Sequence, residues 1–216
     1  MKKVHNLIIL DQSGSMEIIR KQALSGLNET LQTIVNAQKK HEELEQRVTV
    51  LFFSGSDVKY VYLNEKSGGI SPISFQDYCP HGGTPLYDAI GKGISDIRST
   101  FRKGETAIVT IITDGEENMS REFSLKQITS LIDSLKGKGW IFSFIGTDNL
   151  DVEGMAEKIH IRNRMSFTQD DEGTAGMWVR ESKSRSRVYK RMAMGCPLSE
   201  DDYFDTPTEE GGEDGV

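Results

Sequence analysis

The chain has 216 residues, of which 36% are hydrophobic and 27% are charged, and its mean hydropathy is -0.45. These values are typical of a soluble globular protein with one domain, and no apolar run approaches the ~20 residues of a membrane span. The N-terminus lacks the long apolar region of a signal peptide. Two distant cysteines, Cys79 and Cys196, exclude a disulfide framework and a cysteine metal site. We therefore predict a cytoplasmic protein without a membrane partner.

The formal net charge of -7 is concentrated near the C-terminus. Eight of the 33 acidic residues lie in 200–216, which has no Lys or Arg, so the other 25 nearly balance the 26 basic residues. Residues 196–216 have little to bury, and we predict that they form an acidic, disordered tail after a domain at residues 1–195. A basic run in 180–191 is interpreted as a solvated helix face, and we predict no nucleic-acid partner.

The first part of the chain predicts a strand, a long helix and a hairpin. Val4–Leu10 is an apolar run that ends abruptly at polar residues, as a buried central strand does. Apolar residues at helical spacing predict a helix from Glu17 to about Glu45. Arg47–Phe53 predicts a second strand, and residues 54–57 predict a turn into a returning strand, Val58–Leu63.

The middle of the chain predicts a loop followed by two helices around a strand. Residues 67–80 are typical of a loop, with a short helix near Phe75–Tyr78. Pro85 suits the first turn of a helix that ends near Phe101. Ala107–Thr113 predicts a buried strand, and Ser124–Lys136 predicts an amphipathic helix that ends before Gly137.

The last part of the chain continues the alternation of strands and helices. Trp140–Ile145 predicts a strand, Val152–Lys158 a short helix, Met165–Thr168 a weak strand and Gly173–Met192 a final helix. This alternation favours an α/β fold with a doubly wound, mostly parallel sheet and helices on both faces. The hairpin adds one antiparallel strand at an edge.

Three loops carry oxygen side chains at the predicted carboxyl ends of strands or before a helix, where an open α/β sheet places its ligands. Asp11, Ser13 and Ser15 follow the first strand, Thr84 precedes a helix, and Asp114 follows the strand that ends at Thr113. Each segment alone is compatible with an ordinary helix cap or turn. All three in order, without Cys or His, favour a hard cation, with Mg²⁺ first and Mn²⁺ or Ca²⁺ next.

The predicted donor set leaves such a cation short of negative charge. Spacing of two residues on a loop bent by Gly14 can direct three short oxygen side chains at one point. Two carboxylates are the only formal charges, and the following helix adds a positive N-terminal dipole. An outside carboxylate can complete the coordination, so we predict an anion-seeking metal site.

These residues resemble the signature of the von Willebrand factor A (vWA) family, the metal-ion-dependent adhesion site (MIDAS), which consists of a DxSxS loop, a later Thr and a later Asp. Asp11, Ser13 and Ser15 match the first part in the bacterial form DxSGSM. Thr84 matches within Gly-Gly-Thr-Pro-Leu-Tyr-Asp-Ala, and Asp114 matches within Ile-Ile-Thr-Asp-Gly. The resemblance extends over about residues 3–192, with every ligand position intact.

The resemblance implies a six-stranded sheet of order 3-2-1-4-5-6 with one antiparallel edge strand. It also implies Mg²⁺-dependent binding of a protein partner through an Asp or Glu that completes the coordination of the metal. The small size is similar to that of intracellular bacterial members of the family. On this basis we predict a binding module and no enzymatic activity.

Two further hypotheses follow from the residues. Asp201, Asp202 or Asp205, near Tyr203 and Phe204, could supply the missing carboxylate to the same or a neighbouring molecule, which would be a self-interaction through the acidic tail. The alternative function is a Mg²⁺-dependent phosphohydrolase of the haloacid-dehalogenase type with Asp11 as nucleophile. Such enzymes place a second Asp two residues later as general acid, and this position is Ser13 here.

Overall fold

The computed structural model describes residues 1–198, 203 and 204. Six strands form one sheet. They are β1 (Lys2–Asp11), β2 (Leu44–Ser54), β3 (Asp57–Lys66), β4 (Thr106–Thr113), β5 (Trp140–Thr147) and β6 (Asn163–Phe167). The helices are α1 (Arg20–Lys40), α2 (Leu86–Thr100), α3 (Leu125–Leu135), α4 (Val152–Lys158) and α5 (Asp171–Ala193), with short 3-10 turns at Gly14–Ile19 and Ser67–Gly69.

The sheet has the order β3-β2-β1-β4-β5-β6, and only β3 runs antiparallel to its neighbour. The predicted fold class and strand order are therefore confirmed. Side chains alternate across β1, so that Ile8 packs with one apolar cluster and Leu7 with the other. The first cluster lies under α1 and α5, and the second lies under α2, α3 and α4.

Two local predictions are wrong. The first helix ends at Lys40 instead of Glu45, because β2 begins at Leu44, which is buried and pairs with Lys2 of β1. The region Phe75–Tyr78 forms a turn instead of a short helix. Tyr78 points inward from this turn, and its hydroxyl donates to the main-chain carbonyl of Asp11 at 2.6 Å.

The interpretation of the basic run as a solvated helix face is wrong for Arg185. This side chain is 0% exposed, and its guanidinium donates to Glu181 Oε1 at 2.7 Å and to Asn6 Oδ1 at 2.8 Å. Thr110 of β4 also accepts a hydrogen bond from Arg185 at 2.9 Å. Arg185 and Glu181 therefore form part of a buried polar network between α5 and the central strands.

Two residues of the predicted tail pack against the domain. Tyr203 is 1% exposed, its hydroxyl donates to Glu181 Oε1 at 2.8 Å, and its main-chain N–H donates to Asn163 Oδ1 at 3.2 Å. Phe204 packs edge-on against the Tyr203 ring. The predicted disorder otherwise falls mostly on residues 199–202 and 205–216, which lie outside the described residues, as do Asp201, Asp202 and Asp205.

The contact between α1 and α5 gives a direct test of the packing. A Cβ added to Gly26 of α1 would lie 2.1 Å from Trp178 Cγ of α5, whereas a Cβ added to Gly176 of α5 would meet no atom within 4 Å. We expect Gly26→Ala to lower the free energy of unfolding by about 1–3 kcal/mol through overpacking. Gly176→Ala, the matched control, should raise it by about 0.5–1 kcal/mol through helix propensity. Denaturant unfolding measures both changes, and equal effects would contradict this packing.

Candidate functional site

The candidate site lies at the edge of the sheet where β1 and β4 end. These strands are parallel neighbours, and Leu10 pairs with Ile112, so Asp11 lies beside Thr113, the residue directly before Asp114. The loop before Thr84 is joined to the loop after Asp11 by two main-chain hydrogen bonds, from Gly14 N to Gly82 O at 3.0 Å and from His81 N to Gln12 O at 2.8 Å. The topology therefore brings the three predicted segments together.

The first loop folds back on the carboxylate of Asp11. The main-chain N–H of Ser13 donates to Asp11 Oδ1 at 2.6 Å, and Thr113 Oγ1 of β4 donates to Asp11 Oδ2 at 2.5 Å. The hydroxyls of Ser13 and Ser15 lie 3.2 Å apart. This compact turn places two hydroxyls beside a carboxylate that is 0% exposed.

Asp114 is joined to the same loop. Ser15 Oγ donates to Asp114 Oδ1 at 2.7 Å, and Gln169 Nε2 donates to Asp114 Oδ2 at 2.5 Å. Hydrogen bonds therefore run from Ser13 through Ser15 to Asp114, although about a hundred positions separate the two segments in the sequence.

Thr84 reaches the site through the loop after Asp114. Its main-chain N–H donates to Asn118 Oδ1 at 2.8 Å, and its carbonyl accepts from Asn118 N at 3.1 Å. A Cβ on Gly115 would lie 2.8 Å from Thr84 Oγ1, so glycine at this position allows the hydroxyl to approach the residue next to Asp114. Thr84 is buried, and its hydroxyl forms no hydrogen bond with another described residue.

Burial sets the electrostatics of the two carboxyl groups. It raises the pKa of Asp11 to about 7 against the lowering effects of Thr113 and Ser13, and the nearby charge of Asp114 raises it further. Burial also raises the pKa of Asp114. Among residues 1–198, 203 and 204, no Lys, Arg or His forms an ion pair with either group. The site therefore holds two buried acids that no basic side chain of the described residues compensates.

The donor set fits a hard divalent cation. In the described residues, no group of three or more His, Cys, Asp and Glu side chains is placed to hold a metal. The candidate site instead offers the two carboxylates of Asp11 and Asp114 and three neutral hydroxyls. Oxygen donors of this kind suit Mg²⁺, Mn²⁺ or Ca²⁺ and do not suit a structural zinc. The residues that would hold such an ion are Asp11, Ser13, Ser15, Thr84 and Asp114.

Several residues that support the site were not predicted from the sequence. Thr113 and Gln169 each donate to one of the carboxylates. Glu117 accepts from the main-chain N–H groups of Tyr87, Met119 and Ser120 at 2.7–2.9 Å, and thereby fixes the loop after Asp114. The sequence could have indicated that Thr113 contacts the site, because it directly precedes Asp114. Gln169 lies 55 residues from Asp114, and no local pattern indicates their contact.

Residues 7–178 match the model of the von Willebrand factor type A domain, which is most of the chain. The chain belongs to this family. No significant sequence match was found among curated proteins.

Solved structures with the same fold include several pilus proteins. The vWF domain of the type V pilus tip protein Mfa5 from Porphyromonas gingivalis has 9% identity and a TM-score of 0.60, over 92% of this chain and 97% of that chain. The PilB minor pilin from Streptococcus sanguinis has 12% identity and a TM-score of 0.60, over 87% and 62%. The pilus adhesin SpaC from Lactobacillus rhamnosus GG, in its open conformation, has 15% identity and a TM-score of 0.66, over 88% and 30%.

These similarities support the vWA fold, and any argument about function has to come from the residues of the site. The chain spans less than two thirds of the PilB and SpaC chains, and identities of this size indicate a shared fold alone. In residues 1–198, 203 and 204, no helix is both long and apolar enough to cross a membrane.

The buried carboxylate of Asp11 predicts a stability that depends on pH. Because its folded pKa, about 7, lies above the ordinary value of 3.8, the folded state binds this proton more tightly than the unfolded state. In EDTA, Asp11 should therefore add about 1.4 kcal/mol to the free energy of unfolding for each pH unit lowered between pH 7 and pH 4. We expect Asp11→Asn to remove this increment and to be more stable than the natural chain at pH 8.

Chemical denaturation of both proteins across this pH range measures the difference. Titrating groups that do not interact with Asp11 are common to the two proteins and cancel in the comparison, whereas Asp114 interacts with Asp11 and is compared through Asp114→Asn. Parallel pH profiles for the natural chain and Asp11→Asn would contradict the electrostatics described here.

Proposed function

We propose that this vWA domain is a divalent-metal-dependent binding module that recognises an acidic residue of a partner protein. Domains of this family generally mediate protein–protein interactions. In this proposal Asp11, Ser13, Ser15, Thr84 and Asp114 hold Mg²⁺, with Mn²⁺ or Ca²⁺ as substitutes. An Asp or Glu of the partner fills the remaining coordination position.

The observation that carries the proposal is the pair of buried carboxylates without a basic partner. Keeping an ionised carboxyl group out of water is costly unless an opposite charge or a set of hydrogen bonds compensates. A divalent cation beside Asp11 and Asp114 supplies this charge. Because burial raises the pKa of Asp11 to about 7, binding of the metal near neutral pH would release a proton from this carboxyl group.

The arrangement of hydroxyl protons also supports a cation. The Ser15 hydroxyl donates a hydrogen bond to Asp114 and accepts one from Ser13, so one lone pair of Ser15 Oγ remains available to a cation. The Thr84 hydroxyl has no hydrogen-bond partner among the described residues and is a second neutral donor at the same edge. Neutral donors leave the ion less neutralised than a third carboxylate would, and the ion therefore attracts an outside carboxylate.

The phosphohydrolase alternative is not supported. The position two residues after Asp11 is Ser13, whose hydroxyl is not a general acid near neutral pH. The printed names of the neighbours describe pilins, adhesins and vWA domains. We retain the prediction that the chain is not an enzyme.

Compartment and self-interaction stay proposals. Free thiols at Cys79 and Cys196 support a cytoplasmic location, like that of small intracellular bacterial members of the family. Self-interaction through the acidic tail requires Asp201, Asp202 or Asp205, which lie outside the described residues.

Metal binding by the purified chain tests the proposal. We expect calorimetric titration with Mg²⁺ and electron paramagnetic resonance with Mn²⁺ to show one site per chain. Asp11→Ala and Asp114→Ala should each weaken binding by at least about tenfold, because each change removes one of the two compensating charges. Glu42→Ala is the control, since Glu42 is an exposed acid at the opposite end of the sheet. Equal affinities for all four proteins would contradict the proposed site.

The requirement for a partner carboxylate is tested with the same proteins. Partners captured in Mg²⁺ should be released by EDTA and should be lost with Asp11→Ala, whereas Glu42→Ala should retain them. Replacing individual Asp and Glu residues of a captured partner by Asn and Gln should then identify one position that abolishes binding. Capture that is unchanged by EDTA and by Asp11→Ala would exclude metal-dependent recognition.

A further inference from the structure

Gln169 contacts the candidate site from outside the five predicted residues. It lies between β6 and α5, and its Nε2 donates to Asp114 Oδ2 at 2.5 Å. The side chain is partly buried, and its Oε1 accepts from Asn149 Nδ2 at 3.4 Å. Asn149 in turn accepts from Thr147 Oγ1, at the end of β5, at 2.5 Å. A line of side-chain hydrogen bonds thus connects the end of β5 to Asp114.

The backbone on both sides of Gln169 is fixed. Asp170 caps α5, because its Oδ1 accepts from Gly173 N at 2.7 Å, and Asp170 N donates to Thr168 O at 2.8 Å. A Cβ on Gly173 would lie 2.3 Å from Thr168 O, so the first turn of α5 is in close contact with the segment that carries Gln169. The amide is therefore held in position by the ends of β5, β6 and α5.

Both oxygens of Asp114 are occupied by protein donors. Ser15 holds Oδ1 and Gln169 holds Oδ2. A hydroxyl that donates to a carboxylate can still offer its lone pairs to a cation, whereas an amide N–H has no lone pair to offer. Through this N–H group Gln169 stabilises the charge of Asp114, whereas its only atom able to bind a metal, Oε1, accepts a hydrogen bond from Asn149.

We propose that Gln169 is a positioning residue that competes with the cation for Asp114. This inference rests on the proposed metal site. Gln169 donates to an oxygen of Asp114 that the cation would otherwise use, and it thereby lowers the affinity of the site for the metal. The bound ion is then less neutralised by the protein and holds an outside carboxylate more tightly. Gln169 thus lowers the affinity for the metal and raises the affinity of the metal-loaded site for the acidic partner.

The test uses Gln169→Ala in the full chain, with Mn²⁺ as the metal probe and acetate as the carboxylate probe. In this variant, water replaces the amide of Gln169 at the carboxylate of Asp114, and a cation displaces water more readily than a fixed amide. We expect the affinity for Mn²⁺ to rise by about tenfold, the weight of one charge-assisted hydrogen bond. The affinity of the Mn²⁺-loaded protein for acetate should fall. Electron paramagnetic resonance measures free Mn²⁺, and water proton relaxation measures the displacement of bound water by acetate.

Gln76→Ala is the matched control, because Gln76 is an exposed glutamine of the loop that contains Tyr78, and its side chain forms no hydrogen bond with a described residue. It should leave both affinities unchanged. Asn149→Ala, which loosens the amide of Gln169, should shift both affinities in the same directions as Gln169→Ala by a smaller factor. Damage to the fold cannot produce a gain in metal affinity, so the expected result distinguishes positioning from a structural role.

The outcomes separate this inference from the proposed function. If neither the natural chain nor Gln169→Ala binds Mn²⁺, the metal site itself is wrong and the inference fails with it. If the natural chain binds Mn²⁺ and Gln169→Ala binds it equally or more weakly, Gln169 supports the ligand set and the competition is wrong. Binding by Gln169→Ala alone would support competition in its strongest form.

Discussion

The candidate site depends on the burial of the Asp11 carboxyl group at the end of the central strand. Keeping this group out of water costs free energy, and the surrounding loops offset part of that cost with hydrogen bonds. Two donors, Ser13 N and Thr113 Oγ1, bind its oxygens, yet burial still raises its pKa to about 7. No basic side chain among the described residues offsets the charge. In the proposed function, a divalent cation next to the neighbouring hydroxyls compensates this buried acid.

The rigidity of the site comes from the loops, which satisfy their own backbone groups. Asp88, in the first turn of α2, accepts from three successive N–H groups at residues 121–123, at 2.8–2.9 Å. Glu117 and Asn118 hold the loop that faces Thr84. Such hydrogen bonds preorganise the donors before any ligand arrives, so less ordering is required when one binds.

The sequence predicts the parts of this structure that depend on short-range patterns. Apolar runs predict the strands, and the helix predicted to begin at Ser124 begins at Leu125, where Ser124 forms a capping box with Gln127. The DxSxS spacing identifies three of the site residues because they lie on one tight loop. Parallel strand order then explains why Asp114, far along the chain, lies beside them.

Contacts that join distant segments could not be predicted in this way. Arg185 belongs to a basic run by composition, and only the packing of α5 on the sheet shows that it pairs with Glu181 and Asn6. Gln169 and Tyr203 meet their partners through the path of the chain after β6. The end of α1 at Lys40 depends on the pairing of Leu44 with Lys2, which is a tertiary constraint.

A crystal structure of the protein grown with Mn²⁺ tests the central claim most directly. The account predicts one strong anomalous-scattering peak among the side-chain oxygens of Asp11, Ser13, Ser15, Thr84 and Asp114. A map without a peak at this edge of the sheet, or with the ion bound elsewhere, would contradict it.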